Sequence, residues 1–166
     1  MKLRVETRGF SAKLRTPFAV LGIRTRGDAL VAVEYLPLNE RAQRPTDRLA
    51  VEVVRQIECY LVDPEFRFSL PLAPTGTPFQ CSVWSEIGRI PVGESRTYSE
   101  IARALRTGPR AVGNACGANP IVLVTPCHRV VGSRGALGGF GGTSAGDPLL
   151  IKRWLLVHEG YRFGAY

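Results

Sequence analysis

Three helix-start signals in the second half of the chain constrain its fold most strongly. In residues 77–80 and 97–100, a threonine is followed three positions later by glutamine or glutamate, which is the pattern of a capping box. Asp147-Pro148 offers a capping carboxylate and a first-turn proline for a third helix. Residues 1–40 instead alternate apolar and polar side chains, as strands of an antiparallel sheet do. The sequence therefore predicts an α/β protein of the α+β type.

The amino-terminal part reads as a small sheet that packs on one helix. Arg26-Gly27-Asp28 is typical of a hairpin turn. Thr46 is predicted to cap a helix whose apolar residues recur every three or four positions and which ends before Asp63-Pro64. Residues 66–76 are proline-rich without a clear period, which favours a linker. We predict an amino-terminal α/β domain with its linker over residues 1–76 and a second domain over 77–166.

The second domain is predicted to be mostly helical. A helix that begins at Thr77 and ends by residues 90–93 precedes two short helices, at 98–105 and 110–118, in a helix-turn-helix arrangement. The second of these is rich in alanine and glycine, which predicts either close helix packing or close approach to a nucleic-acid groove. The last helix is predicted to end at Gly160 and to bury one face, made of Leu149, Leu150, Trp154, Leu155 and Val157.

Composition narrows the classes of function. The chain of 166 residues has a formal net charge of +8, and positions 89–134 hold seven arginines against two glutamates, which favours a polyanionic partner. Four cysteines without a C-x-x-C pair are typical of a protein with reduced thiols in the cytoplasm. Neither a signal peptide nor a membrane-spanning run is evident, and two histidines argue against a metal site.

The chemistry is predicted to centre on residues 119–132. Four apolar residues, 121–124, are predicted to form a short buried strand that leads into Pro126-Cys127-His128. A free thiol has a pKa near ~8.5, and an adjacent histidine can increase its thiolate fraction. The residues alone leave two interpretations open, a reactive thiol or a buried structural cysteine beside a histidine.

An ordered series of motifs makes the chain similar to the O6-alkylguanine-DNA alkyltransferase family. The series lies between residues 77 and 164, and Pro-Cys-His-Arg-Val at 126–130 is its most specific part. Flanking it are Arg-Ala-Val-Gly-Asn at 110–114, Asn-Pro at 119–120, the glycine-rich 135–142 and Trp-Leu-Leu-Val-His-Glu-Gly at 154–160. The first 76 residues resemble the family only weakly, through Thr16-Pro17-Phe18 and the apolar strand that follows.

This resemblance implies roles for five catalytic residues. Cys127 matches the acceptor thiol, His128 the histidine that activates it through a water, and Glu159 the carboxylate that orients the histidine. Tyr98 matches the tyrosine that helps to turn the target nucleotide out of the duplex and that can protonate the departing base. Asn119 matches the hinge between the recognition helix and the active-site strand.

Recognition of DNA is also implied by the resemblance. Arg110 matches the arginine that fills the vacated position in the base stack, and Tyr98, Ala111, Gly113 and Ala115 complete the expected DNA-binding set. The base pocket is expected to contain Pro126, Val130, Phe140 and Gly141. Phe140 stands where many relatives carry tyrosine, so we expect substrate range rather than reaction type to differ.

The implied activity is DNA repair by an irreversible, single-turnover transfer of the alkyl group of O6-alkylguanine to Cys127. The expected partner is double-stranded DNA, bound from the minor groove by a monomer without a cofactor or a membrane. Whether O4-alkylthymine is a substrate stays open. Three other classes fit the sequence less well: a lesion-binding module, which would replace the acceptor cysteine; a transcription regulator, which would carry long polar side chains on its recognition helix; and a cysteine hydrolase, which would need an oxyanion hole.

Overall fold

The computed structural model describes residues 9–138 and 148–163. Its sheet has three antiparallel strands in the order β1-β2-β3, formed by Ala12–Arg15, Val20–Arg26 and Ala29–Leu36. The predicted hairpin turn between β2 and β3 is confirmed, and Gly27 adopts a φ of +56° there, a conformation that glycine reaches without strain. The predicted apolar residues before position 9 lie outside the described residues.

Helix α1, Arg48–Val62, packs on this sheet and ends before Asp63-Pro64 as predicted. Its predicted cap is wrong by one residue. Asp47 Oδ1 accepts a hydrogen bond from the backbone N–H of Ala50 at 2.8 Å, whereas the Thr46 hydroxyl donates to the carbonyl of Ser11 at 3.1 Å. A carboxylate is a strong acceptor for the free N–H groups of a first turn, and the threonine is already used to tie the helix entry to the sheet.

The proline-rich segment 66–76 contains no helix, yet it packs closely on the amino-terminal part. Leu72 forms a parallel bridge with Leu30, and Ser69 exchanges hydrogen bonds with Gln56 on α1. Phe66, Phe68 and Leu70 pack against the core of the sheet and α1. The segment is therefore held along the edge of the sheet, and the domain boundary after residue 76 stays a prediction.

The second half contains helices α2, Pro78–Ile87; α3, Tyr98–Ala104; α4, Pro109–Gly117; and α5, Pro148–His158. Both predicted capping boxes, Thr77 with Gln80 and Thr97 with Glu100, are confirmed. The α+β class is therefore confirmed. None of the helices within residues 9–138 and 148–163 is long and apolar enough to cross a membrane.

A short parallel strand pair joins two distant parts of this half. β4, Arg96–Thr97, pairs with β5, Val130–Val131, and each strand borders a segment that carries predicted site residues. Because Tyr98 follows β4 and the Cys127–Arg129 turn precedes β5, the pairing places the start of α3 beside that turn. The buried residues form two clusters, one among the sheet, α1, residues 121–123 and α5, and one among α2, α3, α4 and the turn.

The predicted strand at residues 121–124 is wrong. Ile121 makes one parallel bridge with Val33, but Leu123 has a φ of +72°, which is outside the strand conformation. The chain then turns back, since the N–H of Thr125 donates to the carbonyl of Ile121 at 3.0 Å. An apolar run of only four residues is compatible with a strand and with a buried turn, so its composition does not decide between them.

The predicted buried face of the last helix is also wrong in part. Leu149, Leu150 and Val157 are exposed, with Leu150 at 64 %, while Ile151, Lys152, Leu155 and Leu156 are buried. The reason is that Lys152 is directed into the protein, toward the cysteines described below. The predicted end of the helix is confirmed, with Gly160 at a φ of +76°. The predicted cap, Asp147, lies outside the described residues.

Candidate active site

Cys127 lies directly behind the surface, at the first position of a 3₁₀ turn, Cys127–Arg129. Buried Pro126 precedes it, and the cysteine itself is 5 % exposed. Asn119 Nδ2 donates to Cys127 Sγ at 3.1 Å and to the carbonyl of Thr125 at 2.9 Å, while Asn119 Oδ1 accepts from the N–H of Ile121 at 3.0 Å. One asparagine therefore connects the end of α4 to the turn and to the sulfur atom.

The Cys127 thiol is kept in its protonated form by its surroundings. The neighbouring Cys116 thiol and burial raise the pKa of Cys127, and the hydrogen bond from Asn119 and the charge of Lys152 oppose this only in part. A thiol of this kind needs a base before it becomes a nucleophile.

His128 can act as that base, because its contact with Glu159 fixes which ring nitrogen carries the proton. His128 Nε2 lies 2.9 Å from Glu159 Oε1, and an ionised carboxylate can only accept, so Nε2 carries the proton and Nδ1 of a neutral ring is left as an acceptor. This Nδ1 is buried and has no hydrogen-bond partner within residues 9–138 and 148–163. Burial lowers the pKa of His128, against the opposing effect of Glu159, so the ring is neutral at pH 7.

The Glu159 carboxylate is fully buried and accepts from three side chains. Arg129 donates to both of its oxygens at 2.9 Å, and Tyr60 Oη donates to Oε1 at 2.8 Å, beside the contact from His128. Burial acts to raise the pKa of Glu159, but the hydrogen bonds and charges of His128 and Arg129 outweigh it and lower the pKa to about 2. Arg129 is itself held by the carbonyl of Ile90 at 2.6 Å.

Two further side chains, Lys152 and Tyr98, interact electrostatically with Cys127. Lys152 is fully buried, and burial lowers its pKa to about 8, while Cys116 and Cys127 act in the opposite direction. Its Nζ lies 5.6 Å from the centre of the Tyr98 ring. Burial and the two cysteines raise the pKa of Tyr98, so its hydroxyl stays protonated at neutral pH.

Helix α4 presents small side chains on one side and core residues on the other. Arg110 is exposed at its first turn, and Ala111 and Gly113 are partly exposed. Ala115, also predicted for the DNA-contacting face, is 2 % exposed, and its carbonyl accepts from Trp84 Nε1 at 2.8 Å, so its contact with DNA stays a prediction. Its small size allows α4 to pack closely on α2, which is the packing explanation for that position.

Two residues of the expected base pocket, Pro126 and Val130, lie on either side of the Cys127–Arg129 turn. Val130 is buried in the cluster of α2, α3 and α4, and its N–H donates to the carbonyl of Cys127. Buried Pro126 lies on the other side of the cysteine. Phe140 and Gly141 lie outside the described residues, so the pocket stays a prediction.

Sequence reasoning did not identify four residues of this site. Arg129 lies inside the most specific motif, and Lys152 and Cys116 lie within predicted helices, where nothing in the sequence separates them from their neighbours. Tyr60 had no signal at all, because it lies 99 positions from Glu159 and fits the apolar face of α1. A buried lysine or a tyrosine in a core gives no local pattern that separates it from packing.

Comparisons with known proteins show the family of the chain. The family model "6-O-methylguanine DNA methyltransferase, DNA binding domain" matches residues 78–161. A methylated-DNA--protein-cysteine methyltransferase of Methanosarcina barkeri is 38 % identical over 153 residues, covering 88 % of this chain and 94 % of the relative.

Solved structures extend the similarity to the amino-terminal part. The crystal structure of Mycobacterium tuberculosis O6-methylguanine methyltransferase has a TM-score of 0.75 and 33 % identity, covering 89 % of this chain and 90 % of that one. The structure of Mycobacterium tuberculosis OGT in complex with DNA has the same TM-score of 0.75, with 35 % identity over 89 % of this chain and 90 % of that one. By the match of its second half and its similarity over nearly the whole length, this chain belongs to the 6-O-methylguanine DNA methyltransferase family.

Proposed function

We propose that this protein repairs DNA by transferring the alkyl group of O6-alkylguanine to Cys127. The observation that carries the proposal is the buried thiol followed by a neutral histidine whose far nitrogen is held by the Glu159 carboxylate at 2.9 Å. The names of the relatives support the same reaction. The substrate is double-stranded DNA that contains the lesion, and the protein acts as a cytoplasmic monomer.

The side chains of the site can account for every proton and electron pair that moves in the reaction. His128 Nδ1 takes the thiol proton through a bridging water, and the resulting imidazolium is stabilised by Glu159. The Cys127 thiolate then attacks the alkyl carbon, the carbon–oxygen bond breaks, and the electron pair leaves with the O6 atom of guanine. Tyr98 donates a proton to the departing base, and the proton held by His128 returns through water to the Tyr98 oxygen, so that overall the thiol proton passes to guanine. The C–S bond of the product is a thioether that cannot be hydrolysed under mild conditions, so one molecule repairs one lesion.

The first test is a mass measurement after incubation with duplex DNA that carries O6-methylguanine. We expect the peptide that contains Cys127 to gain one methyl group and the yield to stop at one lesion per protein molecule. Cys81, an exposed thiol, is the internal control, because its peptide should remain unmodified. Continued turnover with excess substrate, or methylation of Cys81 instead of Cys127, would contradict the proposal.

Helix α4 supports docking without sequence preference. The side chains of Ala111 and Gly113 are too short to reach base edges, but they allow the backbone close to sugars and phosphates in the minor groove. Exposed arginines, among them Arg103, Arg106 and Arg110, add positive charge beside it.

We therefore expect the affinity for undamaged duplexes to vary little with sequence and to fall steeply as salt increases. The measurement is fluorescence anisotropy on a set of unmodified duplexes at several salt concentrations. A strong preference for one unmodified sequence would instead favour a transcription regulator.

A further inference from the structure

The amino-terminal helix α1 reaches the buried carboxylate of Glu159 through Tyr60. Tyr60 is 1 % exposed, and its hydroxyl donates to Glu159 Oε1 at 2.8 Å. This is the same oxygen that lies 2.9 Å from His128 Nε2. A residue from the first half of the chain therefore shares an acceptor with the histidine that follows the nucleophile.

We propose that Tyr60 is a positioning residue of the transfer reaction, which holds the Glu159 carboxylate toward His128 and limits how strongly that carboxylate favours the imidazolium form. The inference rests on the proposed function, because the reaction is the one assigned to Cys127. The contact between Tyr60 and Glu159 is independent of that assignment.

The tyrosine is fixed on several sides, as a positioning residue needs to be. Its ring packs against Phe68 at 5.6 Å and against His158 at 5.2 Å between ring centres. The backbone carbonyl of Tyr60 also lies 2.8 Å from His158 Nε2. Tyr60 therefore binds two consecutive residues, His158 at the end of α5 and Glu159 directly after it. The position of the hydroxyl is therefore set by packing against Phe68 and His158 and not by Glu159 alone.

The charged and titratable neighbours define what removal of this hydroxyl does. Tyr60 of α1 and His128 and Arg129 of the 3₁₀ turn contact Glu159. Tyr35 of β3 interacts electrostatically with both Glu159 and Tyr60. His128 is influenced by Glu159, Arg129 and Lys152. Replacing Tyr60 by phenylalanine removes one donor from Glu159 Oε1 and leaves the other groups in place.

The sign of the effect follows from hydrogen bonding to a charged acceptor. A donor withdraws negative charge from the carboxylate, so its loss makes Glu159 more basic and stabilises protonated His128. His128 should then titrate at a higher pH in Tyr60→Phe. A histidine that is already protonated cannot accept the thiol proton, and the carboxylate also loses one restraint on its orientation.

The test compares Tyr60→Phe with the parent in two measurements. The first is the NMR titration of His128 in a Cys127→Ala background, where no thiol proton is coupled to it and where two histidines make assignment simple. The second is the pH dependence of single-turnover methyl transfer in proteins that keep Cys127. We expect His128 to titrate at higher pH, and the acid limb of the rate profile to move the same way, with transfer slowed by about threefold to tenfold on that limb and less above it.

Tyr161→Phe is the matched control. It removes a tyrosine hydroxyl that bonds to Ser95 at 3.2 Å, close to the end of α5 but without contact to Glu159. It should leave both the His128 titration and the rate profile unchanged. If Tyr60→Phe fails to fold, 3-fluorotyrosine at position 60 replaces it, because this more acidic phenol remains a donor and should shift His128 in the opposite direction.

The outcomes separate this inference from the proposed function. Parental values for Tyr60→Phe in both measurements, even with a lower melting temperature, would overturn the positioning role and leave the methyl transfer intact. A parent protein that transfers no methyl group would overturn the proposed function and the role of Tyr60 in it. A shifted acid limb together with a shifted His128 titration supports both.

Discussion

Replacing Glu159 by glutamine is expected to lower the free energy of unfolding by about 3 kcal/mol, because it removes one partner of a buried ion pair and leaves Arg129 without a countercharge. The same change should slow methyl transfer on the order of a hundredfold, since His128 loses the carboxylate that stabilises its protonated form. Urea unfolding and single-turnover transfer measure the two effects. The side chain of Glu159 is fully buried, which justifies a value above that of surface pairs.

The Glu159→Gln substitution should also change how the free energy of unfolding depends on pH. The pKa of Glu159 is lowered to about 2 in the folded protein, whereas an unfolded glutamate has a pKa near ~4.3, so its stabilising contribution is complete above that value and is lost as pH falls toward 2. The pKa of buried His128 is also lowered, so the unfolded chain takes up its proton first and acid acts in the same direction. Between pH 5 and 2 the parent should lose stability more steeply than Glu159→Gln.

Glu86→Gln provides a matched control. Glu86 is a partly buried carboxylate paired with two arginines, Arg89 at 2.8 Å and Arg96 at 3.0 Å, and neither is a partner of Glu159. We expect a loss of about 1 kcal/mol or less and parental transfer. Equal stability and equal transfer rates in Glu159→Gln and the parent would show that the carboxylate has neither role.

Replacing Arg110 by alanine should slow repair of duplex DNA by about tenfold to a hundredfold while the slow reaction with free O6-methylguanine stays at the parental rate. Extrusion of a base costs a few kcal/mol, and a side chain that fills the gap offsets part of it by stabilising the extruded state. Arg110 is exposed in the first turn of α4, whereas Cys127 is buried behind Asn119, so the substitution leaves the nucleophile untouched. Single-turnover rates on the two substrates give the comparison.

Arg103→Ala is the control for charge alone. Arg103 is an exposed arginine in the last turn of the neighbouring helix α3, and its loss should weaken DNA binding modestly without a specific defect in extrusion. A probe such as 2-aminopurine opposite the target site reports extrusion directly. Equal losses for Arg110→Ala on duplex and on free base would assign Arg110 a structural role.

Local chemistry explains which parts of the fold could be predicted. The capping boxes at Thr77 and Thr97 involve partners three residues apart, so the same side chains are in reach in any context. The turn at Gly27 depends on one residue that tolerates a positive φ. Neither feature needs information from elsewhere in the chain.

Predictions that depended on what surrounds a segment were less reliable. Residues 121–124 were predicted as a strand because they are apolar, but one bridge to Val33 and the left-handed Leu123 make them a turn. The apolar face of α5 was predicted from leucines, yet buried Lys152 points toward the cysteines, and exposed Leu150 occupies the opposite side. A charged residue is buried only where partners from other elements meet it, and spacing along one helix does not contain that information.

The family, the starts of α2 and α3 and the identity of the reactive segment follow from the sequence, because Pro-Cys-His-Arg-Val and the two capping boxes are contiguous. How Glu159 is held depends on the tertiary structure, because its donors come from α1 and from the 3₁₀ turn, up to 99 positions away. Ala115 shows the same division, since its small size is evident in the sequence but its burial against α2 is not. Hydrogen bonds within a turn follow from neighbouring residues, whereas a buried carboxylate is stabilised by whichever side chains the whole fold brings to it.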